Sequence, residues 1–304
     1  MKKMNLFWSI VMVIFAFAAC STGDWYDDAL TTTTQNPTTT TSTVTESDDD
    51  NSKSTSTADN VVTGVSSDGD VTSFTVALNK NAISESVKVD SSDDDYIENT
   101  SFGKTITITF STSGAATVSG DEDGIVKVNG NDVTATNNTE NIIRYVLTGE
   151  TNDGFFKLYS SKKQAIVLNS VSITNPDGAA INNQSKKRTF IVLNDGTKNY
   201  LTDGTNYADA TDNEDMKACF FSEGQLIFSG SGYLEVDANC KAGIRSDDYV
   251  RTMPKANIFV DASSGNGIRG NDAVIVTGGV INVNVTGTAD KGISTDGEIR
   301  IDDD

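Results

Sequence analysis

The sequence contains no histidine and only three cysteines, three prolines and two tryptophans in 304 residues. Without histidine the commonest general base is missing, and with it the Ser-His-Asp and Cys-His arrangements and most zinc sites. What stays open is carboxylate, hydroxyl and Lys/Arg chemistry, with metals held through oxygen ligands. Basic residues are also short, 23 against 43 acidic, for a formal charge of −20. A surface this negative repels nucleic acid and anionic lipid and attracts divalent cations, so no nucleic-acid partner is expected. No stretch sustains a 3.6-residue apolar period, so helices are not expected either.

The one long apolar run, Leu6 to Ala19, follows Lys2 and Lys3 and stops at Cys20. Fourteen residues are too few to cross a hydrocarbon core of ~30 Å as a helix. The order of charged, apolar and small residues reads instead as a signal peptide over 1–19. Phe17-Ala18-Ala19-Cys20 resembles a relaxed lipobox, which implies that Cys20 is lipidated and that the mature protein is secreted and tethered to the outer membrane or cell surface by that lipid alone. Asp24, Asp27 and Asp28 resemble the acidic export signal of bacterial surface lipoproteins. Residues 31–57 hold twelve Thr and five Ser, with the run Asp48-Asp49-Asp50 among them. Such a stretch has nothing to bury, so 20–60 reads as a disordered acidic stalk.

From Val61 the pattern changes to alternating β-formers, as in Phe74-Thr-Val-Ala-Leu78, Thr105-Ile-Thr-Ile-Thr-Phe110 and Ile125-Val-Lys-Val128, parted by Gly, Asn and Asp. That is the strand signature, and the expected class is all-β. Residues 61–140 read as an N-terminal β cap or small β-domain. Beyond them three segments superimpose: Gly243-Ile-Arg-Ser-Asp-Asp248, Gly267-Ile-Arg-Gly-Asn-Asp272 and Gly292-Ile-Ser-Thr-Asp-Gly297, spaced by 24 and 25 residues. An imperfect copy, Cys219-Phe-Phe-Ser-Glu-Gly224, lies another 24 upstream. A period near 24 with about three short strands and no helix predicts a β-solenoid over 141–304. The Leu ladder of leucine-rich repeats is missing, and propeller blades need about 40 residues. Stacking would make Ile244, Ile268 and Ile293 one inward ladder, with Arg245, Arg269 and Ser294 outside and Asp247, Asn271 and Asp296 in the next outward row.

With these repeats, Tyr145-Val-Leu-Thr-Gly149, Ala165 to Thr174, Ala180-Ile181 and Gly196 to Gly204 resemble a family of bacterial carbohydrate-binding domains related in fold to pectate lyases. The resemblance covers about residues 140–304. It implies a right-handed parallel β-helix that binds calcium and acidic or cellulosic polysaccharides. The family would continue with further coils where this chain ends, directly after a strand, which leaves open whether the chain is a fragment.

The candidate calcium ligands are the stacked Glu223, Asp247, Asn271 and Asp296 with Asp248 and Asp272, because carboxylates repeated at the ~4.8 Å strand spacing repel one another unless a cation intervenes. The alternative is that these residues simply make the corners, since Asp and Asn tolerate turn geometry. Arg245 and Arg269 on the same face, with Tyr207 and Tyr249, are the candidate sugar contacts. Tyr200 and Tyr233 are further aromatic faces, and the polar insertion Thr202 to Asp215 is long enough to overhang a groove. The expected function is polysaccharide binding without cleavage. A calcium-dependent lyase, with an arginine as base, is the alternative, and an adhesin-like structural role comes third. Cys219 and Cys240 are read equally as a disulfide or as two thiols.

Overall fold

The computed structural model describes residues 61–68, 71–77, 90–209, 214–287 and 290–301. The expected leader, Cys20 and the stalk lie outside the described residues. Apart from one 3-10 turn, Ile97–Asn99, every regular element described is a β-strand. No helix among them is long and apolar enough to cross a membrane.

The strands wind into a right-handed parallel β-helix of about seven turns. Each turn contributes one strand to each of three faces. In one turn these are Ala242–Ser246, Tyr249–Thr252 and Asn257–Ala262. In the next they are Ile268–Gly270, Ala273–Val276 and Val280–Val285, paired in parallel with their predecessors. The sequence period is therefore the turn itself: Ile244 stands opposite Ile268, Ile268 opposite Ile293, and Arg245 opposite Arg269. The imperfect copy joins in register, Phe220 beside Ile244 and Phe221 beside Arg245.

Phe156, Ile181, Phe220, Ile244 and Ile268 form the inward ladder of the first face, each at most 1 % exposed. Burying one such side chain stabilises the fold by about 1.5–3 kcal/mol, and stacking repeats that gain in every turn. Phe220 meets Phe228 of the second face edge-on at 5.9 Å, closing the core between faces. The glycine ahead of each isoleucine follows from the same packing. A Cβ on Gly243 would lie 2.3 Å from Val260 Cγ1, and one on Gly267 would lie 2.1 Å from Val283 Cγ1. Where the chain turns from the second face to the third, the backbone enters the left-handed region at Ser170, Gly230, Lys255 and Gly279. Cys219 is a free, fully buried thiol, so it forms no disulfide with Cys240.

The parallel ladders reach back ahead of residue 140: Lys104–Phe110 pairs with Ile143–Thr151, and Asp132–Asn137 with Phe155–Ser160. Antiparallel strands close this end, Val126–Asn129 beside Asp132–Asn137 and Thr117–Ser119 beside Lys104–Phe110. At the other end of the third face, Val71–Ala77 pairs antiparallel with Val280–Val285 and carries Val61–Asp68 beyond it. An added strand of this kind covers an edge that would otherwise expose unpaired amides.

The three outer faces differ in what covers them. On the second, Tyr96 packs with Ala165, Phe190, Ile227 and Met253, and Phe102 meets Phe190. Asp93 and Asp95 pair there with Arg251 at 2.6 and 3.0 Å. The first face is partly covered by the insertion after Asp203, and the third presents aromatic and acidic rows.

Candidate functional site

On the first face, Arg245 and Arg269 project outward in register, as the alternation requires. Neither stands alone. Arg245 Nε lies 3.4 Å from Asp247 Oδ1. Arg269 donates to Asp296 Oδ2 at 2.7 Å and to Ser294 Oγ at 2.9 Å.

The six expected metal ligands separate into three groups. Glu223 and Asp247 come together, and Asp215 from the insertion joins them, one carboxylate oxygen of each lying within 4.8 Å of the others. Sequence reasoning missed Asp215 because it belongs to no repeat. Lys217 enters the same cluster, its Nζ 2.7 Å from both Asp215 Oδ2 and Asp247 Oδ2. Glu223 is held above the usual carboxylate range, first by burial and then by Asp247 and Asp215. Burial would lower the Lys217 ammonium, but its contacts with Asp215 and Asp247 prevail and raise it. Asn271 lends only an amide here, Nδ2 to Asp247 Oδ1 at 3.3 Å. Asp296 is largely exposed and belongs to Arg269. Asp248 and Asp272 lie past the corner, where Asp248 accepts from Gln225 Nε2 and from the Tyr249 amide. The single acidic row is thus one three-carboxylate cluster with Lys217 in it, plus corner residues.

The two tyrosines expected to meet sugar are half-buried and have their hydroxyls engaged internally. Tyr207 donates its hydroxyl to Asp203 Oδ2 at 2.6 Å, and the Lys241 ammonium covers its ring at 4.9 Å. Tyr249 donates to Asp95 Oδ1 at 2.6 Å and receives Arg188 Nη2 at 3.3 Å, helping to fasten the segment that covers the second face. Spacing along the chain could not reveal the partner of Tyr249, since Asp95 lies 154 residues away.

The most exposed tyrosine among the described residues, Tyr200, lies on the third face. Tyr200 stands in register with Glu235, and Glu235 with Phe259. Tyr233 lies between, its ring centroid 6.4 Å from that of Tyr200 and inclined at 67°. Tyr200 is 38 % exposed, and Tyr233 donates to Glu235 Oε2 at 2.8 Å. Asp237 and Asp261 stand opposite one another in the next outward row. Asp237 is pushed up, first by burial and then by Glu235 and Asp261. An aromatic strip bordered by carboxylates can offer a flat apolar surface to one face of a sugar ring and acceptors to its hydroxyls.

The described ends of the insertion lie against the first face. The Ala208 amide donates to Asp177 O, Gln184 Nε2 donates to Asp215 O, and Glu214 takes Lys157 Nζ at 2.7 Å. Tyr159 also donates its hydroxyl to Glu214.

Comparison with known proteins bears on what these faces are for. Residues 129–300 match the family model described as "Carbohydrate-binding domain-containing protein". The chain belongs to this carbohydrate-binding domain family. A carbohydrate-binding domain-containing protein of Acetivibrio thermocellus is 34 % identical over 122 residues, which are 39 % of this chain and 42 % of that relative. The chain thus spans less than half of this curated carbohydrate-binding relative. Among solved structures, a "polysaccharide lyase-like protein from C. thermocellum", a gadolinium derivative, superimposes with a TM-score of 0.55 at 27 % identity, covering 65 % of this chain and 79 % of its own. The carbohydrate-binding match includes Arg245, Arg269, the three-carboxylate cluster and the aromatic strip.

Proposed function

We propose that the chain is a cell-surface lipoprotein whose β-helix binds polysaccharide without cleaving it. The observation that carries this reading is the strip of Tyr200, Tyr233 and Phe259 on successive strands of the third face, with Tyr200 at 38 % exposure. Residues repeated turn after turn suit a ligand that is itself a repeat. The surface location rests on the apolar run Leu6 to Ala19 ending at Cys20.

Absence of cleavage is argued from the cations. A base must be free to take a proton at the reacting carbon. Arg269 is paired with Asp296, Arg245 with Asp247, Lys157 with Glu214, and Lys217 with Asp215 and Asp247. Lys241, whose ammonium is lowered by burial, donates to Met216 O at 2.7 Å. The lyase reading draws on the polysaccharide lyase-like neighbour.

Calcium is proposed as the ion that ties the insertion to the first face. Asp215, Glu223 and Asp247 supply oxygens close enough to share one ion, and turn carbonyls and water would complete the six to eight that calcium takes. The Lys217 ammonium would have to swing out, since its charge now occupies the middle of the cluster. Bound calcium would supply fixed positive charge on an acidic face.

A glycan array probed with the folded protein tests the reading. Retention on at least one class of polysaccharide, lost in Tyr200→Ala/Tyr233→Ala, is the expected result. Absence of retention on every glycan by correctly folded protein would overturn it.

A further inference from the structure

Under the insertion, at the first-face end nearest the N-terminus, lies a cleft of about 350 Å³. Asp132, Asp153, Asp177, Lys157 and Asn182 line it. Its volume falls at the small end of the range for ligand pockets, which begins at roughly 300 Å³. Asn182 sits on the first face in register with Lys157, on the outward side. It is only 1 % exposed, and its Oδ1 accepts from Gln184 Nε2 at 2.6 Å. Its Nδ2 has no acceptor. A buried amide donor left unmade costs about 1–3 kcal/mol, so an amide held this way calls for an explanation.

The chemistry of the lining narrows what could satisfy it. The orphan group is a donor, so its partner is an oxygen with a lone pair and not a cation. The carboxylates argue the same way. Asp132, Asp153 and Asp177 do not bring oxygens within 4.8 Å of one another, as the cluster around Glu223 does, so they do not form a comparable metal cage. An acidic sugar is disfavoured too, because the carboxylates already repel one another. Asp132 is pushed up first by burial and then by Asp153 and Asp177. What fits is an uncharged body carrying several hydroxyls, each able to donate to a carboxylate and accept from the amide.

We propose that this cleft is a second saccharide site holding one neutral sugar unit, with Asn182 Nδ2 donating to one of its oxygens and Asp132, Asp153 and Asp177 accepting from its hydroxyls. The proposal rests on the carbohydrate-binding reading but names a different face from the aromatic strip. The cleft would take a chain end or side branch while the strip takes the length of the polymer.

The test uses the whole chain and a panel of neutral monosaccharides (glucose, galactose, mannose and xylose), read by ligand-detected NMR and by the shift in melting temperature. At least one sugar should bind, and Asn182→Leu, with its fold verified by circular dichroism, should weaken it at least tenfold. The change removes the orphan donor but also the acceptor of Gln184 Nε2, so the melting temperature of the sugar-free variant serves as its own baseline. Asp177→Asn should weaken binding as well, and Tyr200→Ala/Tyr233→Ala should leave monosaccharide binding intact. If polysaccharide is retained but no monosaccharide binds, the cleft proposal fails and the function above stands. If monosaccharide binds equally to wild type and Asn182→Leu, the site is elsewhere and the proposal fails. If polysaccharide is not retained but an Asn182-dependent monosaccharide shift persists, the cleft stands and the polymer reading falls.

Discussion

Arg251 Nη1 lies 3.0 Å from Asp95 Oδ2 across 156 residues of chain, and both side chains are more than nine-tenths buried. The pair fixes the segment containing Tyr96 to the outer second face, with Asp93, Arg188 and Tyr249 joined to it. Removing Asp95 leaves Arg251 with Asp93 alone and takes the acceptor from Arg188 Nε and the Tyr249 hydroxyl, a loss at the low end of the about 3–5 kcal/mol for breaking a buried pair. Asp95→Ala should therefore lower the unfolding free energy by about 3 kcal/mol in urea titration. A joint Asp95→Ala/Arg251→Met change should cost less than Asp95→Ala alone. A loss in the double variant equal to the sum of the two single losses would show that the coupling is weak.

Lys217 and calcium should compete for Asp215 and Asp247. An ion that binds only the folded chain adds about 2.7 kcal/mol at a hundredfold excess over Kd. The melting temperature should rise with calcium and fall with chelator. Lys217→Gln should tighten calcium binding by removing the competing ammonium, and Asp247→Asn should abolish the response. A melt that stays put over a 1,000-fold range of free calcium would leave the cluster as an ion-pair network.

The stacking of Ile244, Ile268 and Ile293, and of Arg245 on Arg269, was legible in the sequence because a solenoid converts a 24-residue period directly into spatial neighbours. The site was legible only where it lay on that period. Glu223 and Asp247 meet as the repeat implies, but Asp215 comes from an insertion that the repeat does not index. Tyr207 and Tyr249 look like surface aromatics by composition, yet carboxylates claim their hydroxyls, Asp203 from four residues away and Asp95 from 154. Pattern alone does not rank Tyr200 and Tyr233 above Tyr207 and Tyr249, because all four fall among polar neighbours. Which face remains open depends on where residues 90–102 and the insertion fold back, and no local periodicity encodes that.

Stability should rise on mild acidification, opposite to the usual carboxylate case. The Asp203 carboxyl, 3 % exposed, is pushed up to about 6 by burial, although Asn239 N, the Tyr207 hydroxyl and other backbone amides donate to it. In the unfolded chain it titrates near ~3.9. Between these values the folded state binds more protons than the unfolded one, so stability falls as pH rises from about 4 to about 6 and is then flat. The effect is on the order of 2 kcal/mol. Asp203→Asn should flatten this segment of the stability–pH curve relative to wild type. An unchanged slope would assign it to the other raised carboxyls, Asp132, Glu223, Asp237 and Asp248.

Incubation with polygalacturonate and calcium should produce no unsaturated uronide above the buffer blank, because the first-face cations named above are already paired. A protein-proportional rise in ultraviolet absorbance that Arg269→Ala abolishes would establish the lyase instead.

The last expectation concerns how a chain of charge −20 holds an acidic polymer at all. At 0.01 M salt the Debye length is ~30 Å, so a uronate chain meets the repulsion of much of the molecule. Binding then needs local positive charge, from calcium or from Arg245 and Arg269. Both arginines already face Asp247 and Asp296, which leaves calcium at Asp215, Glu223 and Asp247 as the stronger bridge. Chelation should therefore abolish polygalacturonate binding, while Arg245→Ala/Arg269→Ala should reduce it less. Neutral glucans should respond little to chelator and strongly to Tyr200→Ala/Tyr233→Ala, since they depend on ring stacking and hydroxyl hydrogen bonds. Affinity electrophoresis in gels cast with each polymer, with and without chelator, separates these outcomes. Polygalacturonate retention that survives chelation but not the double arginine change would transfer the role to the arginines.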